Sequence, residues 1–160
     1  MIPGFRAETA VERSLLGAPE LRRGWAWGRP RRGHPEGAVK HHVAAMLAAI
    51  SPEDPRREDL RLLTLLHDTF KYCEGTDHAL LAREFAERHG CPERIAETLA
   101  LHDAPYWVWH RKAGDPALLE QILSEAPDRG LLIRFVGLDA PTYGKDPAFL
   151  HWFDGHTAGE

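Results

Sequence analysis

The chain has 160 residues, 43% of them hydrophobic, which is enough for one domain with a sizeable core. A formal charge of −4 and a pI near 6.2 provide no bulk attraction toward nucleic acid or an anionic membrane. The only two cysteines, Cys73 and Cys91, are not in CxxC spacing, which argues against a disulfide framework or a zinc ribbon and makes a reducing, cytoplasmic setting the expectation.

No apolar run approaches the roughly 20 residues a membrane span needs. The opening MIPGFRAETAVERSLL carries acids early and lacks an apolar stretch of its own, so it is not expected to be a signal peptide. Histidine, at ten residues, is the one compositional excess.

Strand alternation is nearly absent and helical periodicity recurs, so an all-α single domain spanning 1–160 is expected. A short helix over Glu8–Leu16 ends near Gly17. The stretch Leu21–Gly37, with Gly24, Gly28, Pro30, Gly33, Pro35 and Gly37, reads as a long loop. Residues 1–33 thus form an N-terminal helix and an Arg/Trp-rich loop ahead of a core over 34–153. A helix from Glu36 to Ile50 keeps Val39, Val43, Met46, Leu47 and Ile50 on one stripe and stops at Ser51-Pro52.

The next helix, Arg57–Tyr72, is apolar on most sides and is expected to be central, with Gly75 breaking it. Asp77 caps a helix over His78–His89 that ends at Gly90. Pro92 opens a helix to Asp103, which Pro105 stops or kinks ahead of Tyr106-Trp107-Val108-Trp109. Helices over Pro116–Glu125, Asp128–Leu138 and Pro147–Phe153 complete the chain, all around one core.

The pair His67-Asp68 closes the apolar run Leu62–Leu66, and burying an imidazole and a carboxylate there is costly unless both are satisfied. At about 100° per residue, His42 borders the stripe of Val39 and Met46, whereas His41 points away. His67 and Lys71 share a face. His78 lies with Leu81, Ala82 and Phe85, His102 with Ile95 and Leu99, and Asp139 with Phe135 and Val136. Polar residues on different helices thus face inward together, and a metal ion would satisfy them.

The ordered set His42, His67-Asp68 and Asp139 resembles the HD-domain superfamily of metal-dependent phosphohydrolases. HPEGAVKHHV (34–43) is similar to the segment around that superfamily's first metal histidine, LLHDTFK (65–71) to its His-Asp-x-x-Lys helix, and RFVGLDAPTYGKD (134–146) to its last ligand helix and following loop. The similarity covers about His34 to Phe153. It implies an HD-domain helical bundle, with His42, His67, Asp68 and Asp139 as metal ligands. His78 and His102 match the extra histidines of two-metal members, although His78 follows His67 by only eleven positions, closer than such members lead one to expect. Bacterial 5′-deoxynucleotidases of the superfamily have a Glu where this chain has Lys71.

Imidazole and carboxylate together suit Mn, Fe, Co, Ni or Zn, one or two ions per chain, which activate water and neutralise phosphoryl oxygens. Asp68 is the expected bridging or water-orienting group. Lys71 is positioned to bind a phosphate oxygen, or is a surface lysine at a helix end. Asp103 either orients His102 or is a solvated helix-end acid. Arg29, Arg32 and His34 are the remaining candidates for substrate binding. Arginines interleaved with Trp25 and Trp27 suit phosphates and a base; the bland alternative is that the tryptophans pack on the core.

The expected function is therefore hydrolysis of a phosphomonoester or phosphodiester, with a nucleotide as the small phosphorylated substrate. A di-iron oxygenase, and a non-catalytic module that binds nucleotide or nucleic acid around a structural metal, are the alternatives. No GxSxG, P-loop or HExxH occurs to suggest another chemistry.

Overall fold

A computed structural model describes residues 2–30, 37–73, 75, 77–141 and 146–158. The described residues form helices and no strands: α1 (Ala10–Leu16), α2 (Pro19–Ala26), α3 (Val39–Ala49), α4 (Arg57–Leu66), α5 (His78–Arg88), α6 (Glu93–Leu101), α7 (Ala104–Arg111), α8 (Pro116–Glu125), α9 (Arg129–Asp139) and α10 (Pro147–Thr157). The all-α expectation holds. None of these helices is long and apolar enough to cross a membrane.

Start and stop chemistry explains most boundaries. Thr9 and Glu12 form a reciprocal capping box at α1. Asp77, Asp115, Asp128 and Asp146 each accept from first-turn amides of the helix that follows. At the end of α5, Gly90 takes φ +71°, the Cys91 amide donates to the Ala86 carbonyl, and the Gly90 amide donates to Glu87. That pattern closes a helix with a left-handed residue, which glycine adopts without strain.

Every residue from Leu60 to Leu66 is buried, so α4 is the central helix the sequence predicts. It packs against α3, α6 and α9. The single core expected from the sequence resolves into two clusters. One gathers Leu15, Leu21, Trp25, Met46, Leu63 and Phe85 among others, and the second gathers Val108, Leu119, Leu123, Phe149 and Phe153. Helix α9 serves both, with Leu131 and Phe135 in the first and Leu132 and Val136 in the second.

Four boundaries differ from the sequence reading. The stretch after Leu21 is not all loop, because α2 runs to Ala26. Gly24 is buried within it, and a Cβ there would lie 1.9 Å from the Thr69 carbonyl oxygen. This glycine permits close approach of two backbones rather than marking a turn. Trp25 beside it is buried, and its indole N–H donates to the Leu65 carbonyl at 3.0 Å.

The central helix ends at Leu66, not Tyr72. Beyond it the amides of Thr69, Lys71 and Cys73 donate to carbonyls three residues back, so 67–73 is a run of tight turns. Pro105 opens α7 within its first turn instead of stopping the preceding helix, where its missing N–H costs nothing. Finally, α10 continues past Phe153 to Thr157.

Candidate metal centre

The centre is assembled at helix ends. His42 comes from the first turn of α3, His67-Asp68 from the turn that terminates α4, His78 from the first residue of α5, His102 from the C-cap of α6, and Asp139 from the last residue of α9. The turn bearing His67-Asp68 is braced from behind by α2, through Gly24 against Thr69 and Trp25 against Leu65.

The donors fall into two groups. In the first, His42 Nε2 lies 2.9 Å from Asp139 Oδ1 and 3.1 Å from His67 Nε2, and His67 Nε2 lies 3.8 Å from Asp139 Oδ1. In the second, Asp68, His78 and His102 bring their ligand atoms within 4.8 Å of one another. Donors held about 2.1 Å from one ion stand about 3.0–3.4 Å apart at right or tetrahedral angles. Both groups have the spacing to hold a metal ion. Asp68 Oδ1 lies between them, 3.4 Å from His67 Nε2 and 3.9 Å from His78 Nε2.

Hydrogen bonds behind the rings aim the lone pairs. His67 Nδ1 lies 3.1 Å from the Thr64 carbonyl and His102 Nδ1 lies 2.7 Å from the Leu99 carbonyl. A carbonyl only accepts, so each Nδ1 carries a proton, and Nε2 is the ring atom each histidine turns to the centre. His102 Nε2 is buried with no hydrogen-bond partner among the described residues. A buried ring nitrogen left in this way points to a ligand, since such atoms are normally paired.

The electrostatics favour ligation. Burial pushes the His67 imidazole down to about 3, against a partial upward pull from Asp68 and Asp139, so the ring is neutral. Burial would raise the Asp68 carboxyl, but His67, Lys71 and His42 outweigh it and hold the group well below the usual carboxylate range. The Lys71 ammonium lies 2.8 Å from Asp68 Oδ1. Burial works to lower its pKa, and Asp68 and Asp103 more than offset that.

Lys71 is not the solvated helix-end lysine of the bland reading, since its side chain is only 23% exposed. Nor does it work through the four-residue face with His67; it folds back three residues onto Asp68 within the turn.

His78 reaches the centre despite its short spacing from His67, because 67–73 turns tightly and His78 is the first residue of its helix. His41 is exposed, as expected from its face. Arg29 is exposed on the stretch after α2, and Arg32 and His34 lie outside the described residues. The pairing of base-stacking tryptophans with arginines does not survive at Trp25, which is core. Arg23, on α2, instead lies 4.4 Å over the Tyr72 ring.

Asp103, which carried a weaker sequence signal, lies at the centre. Asp103 Oδ2 lies 3.1 Å from His78 Nε2, and Oδ1 lies 3.6 Å from His102 Nε2. Tyr106 is pushed up to about 12 by burial, with Asp139 and Asp146 adding to the shift, so its hydroxyl keeps its proton. From sequence the aromatic run 106–109 reads either as a wall of the pocket or as core, and Tyr106 packs on Phe149 at the second core cluster. A cleft of about 690 Å³ is lined by Ile50, Arg56, Ile133 and Arg134 and contains none of the six donors.

No protein-family model, curated protein or solved structure matches this chain.

Proposed function

We propose that the protein is a metal-dependent phosphohydrolase of the HD-domain kind, cleaving a phosphomonoester or phosphodiester. The observation that supports this most directly is the carboxylate of Asp68. It stands between two groups of metal-ligating donors and holds a largely buried lysine ammonium 2.8 Å away. The ordered motif residues His42, His67-Asp68 and Asp139 support the same reading by resemblance.

A divalent transition metal bound there supplies a water of lowered pKa and screens the phosphoryl oxygens. The chain's own residues do the rest. Thr64 and Leu99 fix the rings of His67 and His102 through their Nδ1 protons. Asp68, held unprotonated, orients the attacking water and accepts its hydrogen bond. Lys71 meets a phosphoryl oxygen as a point charge without leaving Asp68. Within this class a nucleotide is the first substrate to test, on the arginines around Arg29.

The test is hydrolysis of p-nitrophenyl phosphate, its bis ester and a set of nucleotides by the full chain loaded in turn with Mn, Fe, Co, Ni and Zn. Turnover with at least one metal is expected, with a loss on the order of a thousandfold in Asp68→Ala. Hydrolysis that survives undiminished in Asp68→Ala would overturn the site. No hydrolysis with any metal would overturn the activity. In that case dioxygen uptake by the iron form would point to an oxygenase built on the same six donors, and salt-dependent nucleotide binding without turnover would point to a binding module.

A further inference from the structure

We infer that Asp103 is a fourth protein donor to an outer metal site formed with Asp68, His78 and His102, and that this outer ion is the exchangeable one. The inference rests on the reading that the centre holds transition metals, and does not depend on phosphoester hydrolysis.

Asp103 occupies the N-cap position of α7, where an aspartate normally accepts a hydrogen bond from a first-turn amide. Asp77, Asp115, Asp128 and Asp146 do so on their helices. Asp103 makes no such bond. Its two oxygens turn instead toward His78 Nε2 and His102 Nε2, at 3.1 and 3.6 Å. Asp68 Oδ1 lies 3.9 Å from His78 Nε2, and none of these separations exceeds the about 4.2 Å that two donors on one ion can span.

A second, independent observation points to the ligand itself. The His102 side chain is 1% exposed, its Nδ1 proton is committed to Leu99, and its Nε2 has no hydrogen-bond partner among the described residues. Asp103 at 3.6 Å is beyond hydrogen-bond reach of that nitrogen. An ion between them would satisfy both groups.

The two sites differ in their access to water. The side chains of His42, His67 and Asp139 are 7%, 1% and 11% exposed. In the outer group His78 is 20% and Asp103 48% exposed. Asp103, half in water, gives the outer ion an opening to solvent that no donor of the inner group gives its own. The outer ion is therefore the one lost first.

The test uses the full chain, stripped with chelator and titrated with Co2+, followed by visible absorption and counted by elemental analysis. The wild type is expected to take two ions, the second more weakly. Asp103→Asn is expected to weaken the second about tenfold to a hundredfold and leave the first unchanged. His42→Ala is expected to weaken the first. Wild-type affinities for both ions in Asp103→Asn, or a single ion in the wild type, would overturn the inference.

Asp103→Cys gives a check that a merely supporting role would not move. Its Co2+ form is expected to show a thiolate-to-cobalt charge-transfer band in the near ultraviolet that the wild type lacks. A folded Asp103→Cys without that band would also overturn direct ligation. Failure here leaves the hydrolysis test standing, and absence of hydrolysis leaves these spectra unchanged.

Discussion

At the scale of single residues, the candidate centre is defined by which ring nitrogen holds the proton and which carboxylate keeps its charge. His67 and His102 spend their Nδ1 protons on carbonyls one turn back in their own helices, so ligand geometry and helix ending come from one residue each. Lys71 is a largely buried cation on a carboxylate at the centre. If it meets a phosphoryl oxygen, Lys71→Met should lower kcat/KM on the order of a hundredfold with metal content unchanged. Metal lost in parallel with activity would assign Lys71 to holding Asp68 in place instead. Elemental analysis beside steady-state kinetics separates the two.

At the scale of elements, the surprise is α2. Glycines and arginines read as loop, yet Pro19–Ala26 is a helix whose Gly24 and Trp25 bear on the turn that carries His67-Asp68. Gly24→Ala would place a methyl group 1.9 Å from the Thr69 carbonyl oxygen, and backbone cannot give way as a side-chain tip does. It is expected to cost about 1–3 kcal/mol or more by overpacking. Because Thr69 follows Asp68, metal affinity should fall as well. Urea unfolding and a Co2+ titration of the variant measure both; wild-type stability would show that α2 does not seat as described.

At the scale of the whole molecule, buried ionisable groups tie stability to pH. In the folded protein His67 is pushed from 6.5 down to about 3, so between those values the unfolded chain binds the proton that the folded one refuses. Stability rises with pH wherever the unfolded state holds more protons. The His67 contribution is therefore complete above about 6.5 and declines as pH falls toward about 3. The carboxyls of Asp54 and Asp128 act in the same direction at lower pH. Hydrogen bonds from Arg134 and Arg56 lower them from 3.8, so their stabilisation fades as pH drops through their folded-state values. The urea midpoint of the metal-free chain should fall steadily from about pH 7 to about pH 4, and a flat or rising profile would contradict a neutral, buried His67.

The pattern along the chain determined the helices and the inward faces. An apolar stripe with a histidine at its edge has the same meaning wherever the helix is placed, so His42, His67, His78, His102 and Asp139 were legible as inward residues, and His41 as solvated. Aspartates at N-caps and Gly90 after α5 marked boundaries for the same local reason. What local pattern does not encode is the distance between elements. Gly24 is a turn residue by composition and a contact residue only because Thr69 lies against it. Asp103 is a cap by position and a candidate ligand only because α5 brings His78 to 3.1 Å. The grouping of the donors into an inner and an outer site, and the place of Asp68 between them, were decided by how α3, α4, α5, α6 and α9 converge. Helix periodicity repeats every 3.6 residues and specifies a face, whereas an ion selects atoms a few ångströms apart on five separate helices.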